Sequence, residues 1–225
     1  MSLHQIADIA ELQRHLHAAV QLEHATIPPY LTALYSIHPG TNSEAYHILR
    51  AVAVEEMLHL TLAANLLNAV GGTPDLTVDG FVPLYPAYLP DGETDFEVSL
   101  EKFSKRAIET FLKIERPASK AGEGVATVRR KRRNHTLRAA HVHDDSDEHF
   151  YSIGEFYQAI EQALVRLHEK HGDALFSGDR SRQVTAAYYY SGGGEIIEVV
   201  DLDSAQAAIR LISEQGEGIG GSIFD

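Results

Sequence analysis

Glu56-Met-Leu-His59 sets a carboxylate and an imidazole three residues apart inside an apolar helical pattern, and no other feature restricts the fold as tightly. Residues at i and i+3 lie one above the other on a single helix face. That face also carries Val52, Ala63, Leu66 and Val70, so it points into a core. Burying an ionised carboxylate there is costly unless something pairs with it. A metal ion does so well, and Glu-x-x-His on one helix of a bundle is how carboxylate-bridged di-iron and di-manganese sites are assembled. Taken alone, the spacing is common in long helices, and a satisfied or surface pair is the plainer reading.

Glu23 is the second piece. From about Ile9 to Ile37 the apolar residues Leu12, Leu16, Ala19, Ile27, Tyr30 and Leu34 recur with helical periodicity, and Glu23 falls on that stripe. The alternative is a flanking position with its carboxylate in solvent. Pro28 and Pro29 follow at once, and a proline inside a helix clashes with the carbonyl four residues back, here His24 and Ala25. Either the helix kinks beside Glu23 and opens room for a metal or substrate, or it ends there and another begins.

Composition narrows the classes. A chain of 225 residues with 44% hydrophobic and 23% charged residues can bury the core of one globular domain. The net charge of −13 argues against a general nucleic-acid binder, whose affinity rests on neutralising phosphates. With no cysteine, disulfides, thiolate metal sites and cysteine nucleophiles are excluded. A metal would have to use Glu, Asp and His, which suits iron, manganese or zinc. The start, Met-Ser-Leu-His-Gln, shows no signal-peptide pattern, and no stretch approaches the ~20 apolar residues of a membrane span. The expectation is a soluble, cytoplasmic chain with no membrane partner.

Punctuation residues divide the chain into helices. Pro39-Gly40 ends the first, Asn42 or Ser43 caps the second, and Gly71-Gly72-Thr73-Pro74 stops it after Val70. The connection from Thr73 to Tyr151 is far longer than a bundle loop and should hold structure of its own. Its prolines Pro83, Pro86 and Pro90, interleaved with Phe81, Tyr85 and Tyr88, predict an extended, aromatic-anchored stretch. A short helix is expected around Leu100 to Ile114. The basic run Arg129–Arg133 and the acidic residues Asp144, Asp145 and Asp147, with His141 and His143 nearby, read as a solvated loop rather than a phosphate or metal site. Helix three opens at Ser152 with the capping box Ser152-Ile-Gly-Glu155 and the stripe Phe156, Ile160, Leu164 and Leu167. Glu155 therefore has a capping role available as well as a ligand role. Glu195 to Val200 is a candidate short strand. Asp203 or Ser204 caps helix four, Ala205 to about Gln215, which closes in Glu214-Gln-Gly-Glu217-Gly.

These residues resemble a known family. Leu22-Glu23-His24-Ala25-Thr26-Ile27-Pro28-Pro29-Tyr30-Leu31, Val54-Glu55-Glu56-Met57-Leu58-His59 and Glu214-Gln215-Gly216-Glu217-Gly218 look like the ferritin-like domain of the iminophenyl-pyruvate dimer synthase type, found in enzymes of violacein and rebeccamycin biosynthesis. The resemblance covers nearly the whole chain. It implies an all-α, ferritin-like four-helix bundle forming a single domain over 1–225, with a long crossover insertion (about 73–151) between helices two and three. It also implies that Glu23, Glu56 and His59 are metal ligands. Glu155, in Ile153-Gly-Glu-Phe-Tyr157, matches a helix-three motif of the family, and Glu217 and Glu214 are the helix-four candidates. In similar proteins the last helix continues into a His-Tyr-Tyr-Arg-Phe-like segment, whereas this sequence stops at Ile223-Phe224-Asp225. If the chain ends there, helix four lacks a second histidine ligand and a symmetric two-metal site is in doubt; if the sequence is a piece of a longer chain, the site is only partly represented.

The functional expectation is a metal-dependent protein, with iron as the first choice and one or two ions, performing oxidative chemistry on a small amino-acid-derived imine with O₂ or peroxide. The substrate half rests on the resemblance alone. Two alternatives use the same residues: a non-catalytic, stress-related iron binder, and a metal-free partner-binding bundle whose inward acids pair with Arg or His. A homodimer is the commonest assembly for such a chain.

Overall fold

The computed structural model describes residues 6–90, 96–115, 153–190 and 192–216. Among them are five α-helices and no strand: α1 (Ile9–Tyr35), α2 (Ser43–Ala69), α3 (Lys105–Ile114), α4 (Ile153–His171) and α5 (Leu202–Gly216). α1 packs along α2, α4 against α5, α1 against α4 and α2 against α5, closing a ring of four around one core. α3 stands in the crossover. This is the all-α four-helix bundle with a long crossover that the sequence implies. Among the described residues no helix is long and apolar enough to cross a membrane.

Local chemistry accounts for the ends. Asp8 caps α1, its side chain accepting from the Glu11 amide at 2.8 Å. At the end of α2, Gly71 takes φ +77°, and the amides of Gly71 and Gly72 return to the carbonyls of Asn68 and Leu67, a glycine-terminated stop. The start of α2 differs from expectation: Asn42 sits in the left-handed region at φ 48° and its side chain makes no capping bond. α3 begins at Lys105 rather than near Leu100, because Ser104 accepts from the Ala107 amide and sets the first turn there. α5 begins at Leu202, sooner than Ala205, with Asp201 as the cap accepting from the Ser204 amide at 2.8 Å. Ser152, the basic run and the histidines His141 and His143 lie outside the described residues.

α1 runs unbroken through Pro28 and Pro29, so the reading in which the helix ends there is wrong. The missing N–H of Pro29 leaves the Ala25 carbonyl without its helical donor. The Tyr85 hydroxyl from the crossover donates to that carbonyl at 2.6 Å and takes the donor's place. Phe81 of the same stretch is buried against the bundle, so the aromatic anchoring predicted for it holds.

The strand expected at Glu195–Val200 does not form. Side-chain amides satisfy its backbone instead. Gln183 pairs with both the N–H and C=O of Val199, and Asn65 of α2 donates to the Ile197 carbonyl. A strand needs a neighbouring strand; here two amide side chains substitute for one.

Candidate metal centre

Glu23 from mid-α1 and Glu56 and His59 from mid-α2 meet in the core, where their relative exposures are 3%, 5% and 2%. One donor atom from each lies within 4.8 Å of the other two. Facing His59 Nδ1 are Glu23 Oε2 at 3.6 Å and Glu56 Oε1 at 3.7 Å.

The remaining polar atom of each residue has its own partner. Tyr157 of α4 donates its hydroxyl to Glu23 Oε1 at 2.5 Å. The Thr26 hydroxyl donates to Glu56 Oε2. The other ring nitrogen of His59, Nε2, is 2.9 Å from Gln215 Oε1 on α5. Each ligand-type side chain is thus held from behind, leaving one free donor atom pointed at a common centre. Supporting partners of this kind orient metal-binding carboxylates and histidines.

Burial and mutual repulsion set the electrostatics. Burial pushes the Glu23 carboxyl above its ordinary value, with the charge of Glu56 adding to the rise. Burial opposes a charge on His59, yet the carboxylates of Glu23 and Glu56 facing Nδ1 hold its imidazole well above 6.5. Burial, then the negative charge of Glu23, raises Tyr157 well above 10, so it stays a hydroxyl donor.

Glu115, a residue that sequence reasoning missed, joins the same cavity. It follows the last residue of α3, is half-buried, and accepts a hydrogen bond from the Tyr30 hydroxyl of α1. Burial, then the charge of Glu56, raises its carboxyl to about 8. The signal was present in the helix phase. Ala107, Phe111 and Ile114 form the buried stripe of α3, and Glu115 lies four residues after Phe111. Tyr157 carried a comparable signal, one turn before Ile160 on the buried face of α4. Gln215 carried none.

The cavity among Glu23, Glu56, His59, Glu115, Tyr157 and Ser213 is about 20 Å³, room for one ion or one water. Among the described residues its lining offers three carboxylates and one imidazole and neither Lys nor Arg. Of the other residues singled out from sequence, Glu155 is half-buried in the first turn of α4, and it is Gly154 and Tyr157, on either side of it, that line the cavity. Glu214 is exposed on α5. Glu217 lies outside the described residues.

The donor set fits a metal ion. Two ligand atoms each about 2.1 Å from one ion at a tetrahedral angle stand roughly 3.4 Å apart. The observed separations of 3.6 and 3.7 Å are close to this and too long for hydrogen bonds.

Comparison with known proteins agrees with this architecture. A ferritin-like family model matches residues 16–225. Dichlorochromopyrrolate synthase of Lentzea aerocolonigenes is 32% identical over 194 residues, covering 76% of this chain and 16% of that protein. The 2-imino-3-(indol-3-yl)propanoate dimerase of Chromobacterium violaceum is 25% identical over 255 residues, covering 95% of this chain and 21% of that protein. The chain therefore spans about a fifth or less of the length of these relatives. The crystal structure of a ferritin-like protein from Caulobacter vibrioides shares the fold, with a TM-score of 0.67 at 24% identity over 95% of this chain and 69% of that one.

Proposed function

The chain belongs to the ferritin-like family, and from that premise we propose that it is a metal-dependent domain, spanning residues 1–225, for oxidative chemistry on a small amino-acid-derived imine. The observation that carries the proposal is the convergence of Glu23 Oε2, Glu56 Oε1 and His59 Nδ1, with the other polar atom of each held by Tyr157, Thr26 or Gln215. Glu23 and Glu56 outnumber the one imidazole they face, even with the Glu115 carboxyl raised to about 8, and a divalent cation neutralises the excess.

Glu23, Glu56 and His59 would hold the ion, iron before manganese or zinc. Iron bound there supplies electron-transfer chemistry toward O₂ or peroxide. Tyr157 and Thr26 keep one oxygen of each carboxylate occupied, so that the other stays aimed inward. Glu115, hydrogen-bonded by Tyr30, holds a proton at neutral pH on the crossover side of the cavity. The apolar side chains of Ile114, Ile153 and Ile212 exclude water around these groups. The choice of an imine is supported by the name of one relative, the 2-imino-3-(indol-3-yl)propanoate dimerase.

One observation favours a second reading. A cavity of about 20 Å³ takes an ion but no bicyclic substrate, which suits an iron binder without an organic partner.

Metal analysis of untagged protein tests the first step, comparing wild type with Glu56→Ala and His59→Ala. We expect one or two irons or manganeses per chain, lost in both variants. Wild-type protein that neither carries metal nor takes up Fe(II) would overturn both metal readings and leave His59 as an imidazolium pairing two acids. Consumption of O₂ together with an indolyl imine then separates the enzyme from the iron binder, which oxidises Fe(II) alone.

A further inference from the structure

Gln215, near the end of α5, stands between two groups. Its Oε1 is 2.9 Å from His59 Nε2, and its Nε2 donates to the Gly193 carbonyl. A backbone carbonyl can only accept, so Gly193 decides which end of the amide faces it. The nitrogen goes to Gly193, and the oxygen is left for His59. An oxygen acceptor requires a hydrogen on Nε2. In the neutral ring that a metal requires, the one N–H is then on Nε2 and the lone pair on Nδ1, the atom facing Glu23 and Glu56.

We propose that Gln215, held by the Gly193 carbonyl, is a positioning residue that keeps the hydrogen on His59 Nε2 and presents Nδ1 as the ligand atom for a divalent metal ion. The proposal rests on the metal reading above and adds to it the residue that chooses the ligating nitrogen.

The anchor of this relay is built into the backbone. Gly193 has φ +75°, and a Cβ there would lie 2.9 Å from Glu55 Cα and 3.0 Å from Glu55 N. A side chain on Gly192 would meet Val54 Cγ1 at 2.4 Å. Only glycines let this segment lie flat on the turn of α2 that leads into Glu56 and His59. The glycine whose carbonyl orients Gln215 therefore lies directly against the helix that carries the histidine. The relay runs from α2 through the glycine segment to α5 and back to α2, independently of the hydroxyls that hold the two glutamates.

Histidine ¹⁵N spectra and Zn(II) affinity together test the relay, using wild type, Gln215→Leu, Gln215→Glu and Gly193→Ala. In Zn(II)-loaded wild type we expect the His59 hydrogen on Nε2, protected from exchange, and the metal on Nδ1. Gln215→Leu should lose that protection and weaken Zn(II) binding about 10- to 100-fold, the usual loss when the outer partner of a metal-bound histidine is removed. Gly193→Ala should weaken it in the same direction. Gln215→Glu keeps an acceptor for Nε2–H and should retain the hydrogen there, which guards the test if the leucine variant unfolds. Zinc on Nε2 with the hydrogen on Nδ1, or wild-type affinity in a folded Gln215→Leu, would overturn the proposal. If wild type binds no Zn(II), the metal reading fails and the proposal with it. The metal-free spectra then say separately whether the Gln215 bond to Nε2–H exists.

Discussion

Two buried polar clusters lie on α2 less than two turns apart, and they solve the same problem in opposite ways. Glu56 and His59 face Glu23 across a cavity, with acidic oxygens in excess of donors and no lysine or arginine among the described lining residues. Asn65, 1% exposed, has no such imbalance. Its Nδ2 donates to the carbonyls of Val184 and Ile197, and its Oδ1 accepts from the Val184 amide. Gln183 closes a matching pair with Val199. A neutral amide carries donors and acceptors in one side chain and can be satisfied by a passing backbone. A carboxylate carries only acceptors, so two of them facing one imidazole leave a place for something positive. The first cluster is poised for a ligand and the second staples a loop.

Asn65→Leu should produce the largest effect on stability. It strands one amide and two carbonyls of the loop, and a loss of about 2–4 kcal/mol is expected in denaturant melts, at roughly 1 kcal/mol or more for each group left unpaired. Metal stoichiometry measured on the folded fraction should be unchanged. A variant with lost metal and intact stability would erase the distinction between the two clusters.

Metal affinity should fall with acid. The acids around His59 raise its imidazole well above 6.5, so a metal at Nδ1 must displace a proton throughout the neutral range. Zn(II) affinity should rise about tenfold per pH unit until His59 is deprotonated and level off above that. A flat profile from pH 6 to 8 would show that His59 is not a ligand.

A smaller effect is expected at Glu115, in the metal-free chain. Its carboxyl is raised to about 8 from an ordinary 4.5, so between these values the folded chain holds a proton that the unfolded chain has released. Its contribution to stability is present below 4.5 and lost as pH rises through about 8. Glu115→Gln should flatten that decline in melting temperature. If the slope is unchanged, Glu115 is better solvated than its place in the cavity suggests.

Tyr85→Phe should have the smallest effect, about 1 kcal/mol, from leaving the Ala25 carbonyl without the hydroxyl that replaces its helical donor. It tests whether the double proline is tolerated because of the crossover. Stability equal to wild type would mean that α1 bears the unpaired carbonyl at no cost.

Much of this was legible residue by residue. The stripes Leu12–Leu16–Ala19 and Phe156–Ile160–Leu164 are buried where periodicity puts them, and Gly71 ends α2 as a left-handed glycine should. Glu56 and His59 share a face because three residues of helix guarantee it. The strand expected at Glu195–Val200 failed because apolar composition does not reveal whether a partner strand exists. Asn42 is the N-cap of α2 as read, though without a side-chain bond, whereas the cap of α5 was misplaced by two or three residues, since Asp201, Asp203 and Ser204 compete locally on nearly equal terms.

The sequence by itself determined the helices, the acidic and cysteine-free chemistry of any metal site, and the inward carboxylates Glu23 and Glu56. Those follow from short-range periodicity and from which side chains are present at all. Only the tertiary structure decided the partners: Tyr157 behind Glu23, Glu115 from the crossover, and Gln215 between Gly193 and His59. On paper Glu217 and Glu214 were the helix-four candidates, and Gln215 carried no signal. That Gln215 meets His59 while Glu214 is exposed depends on the rotation of α5 against α2, a quantity set by packing across 156 residues of chain and written in no local pattern.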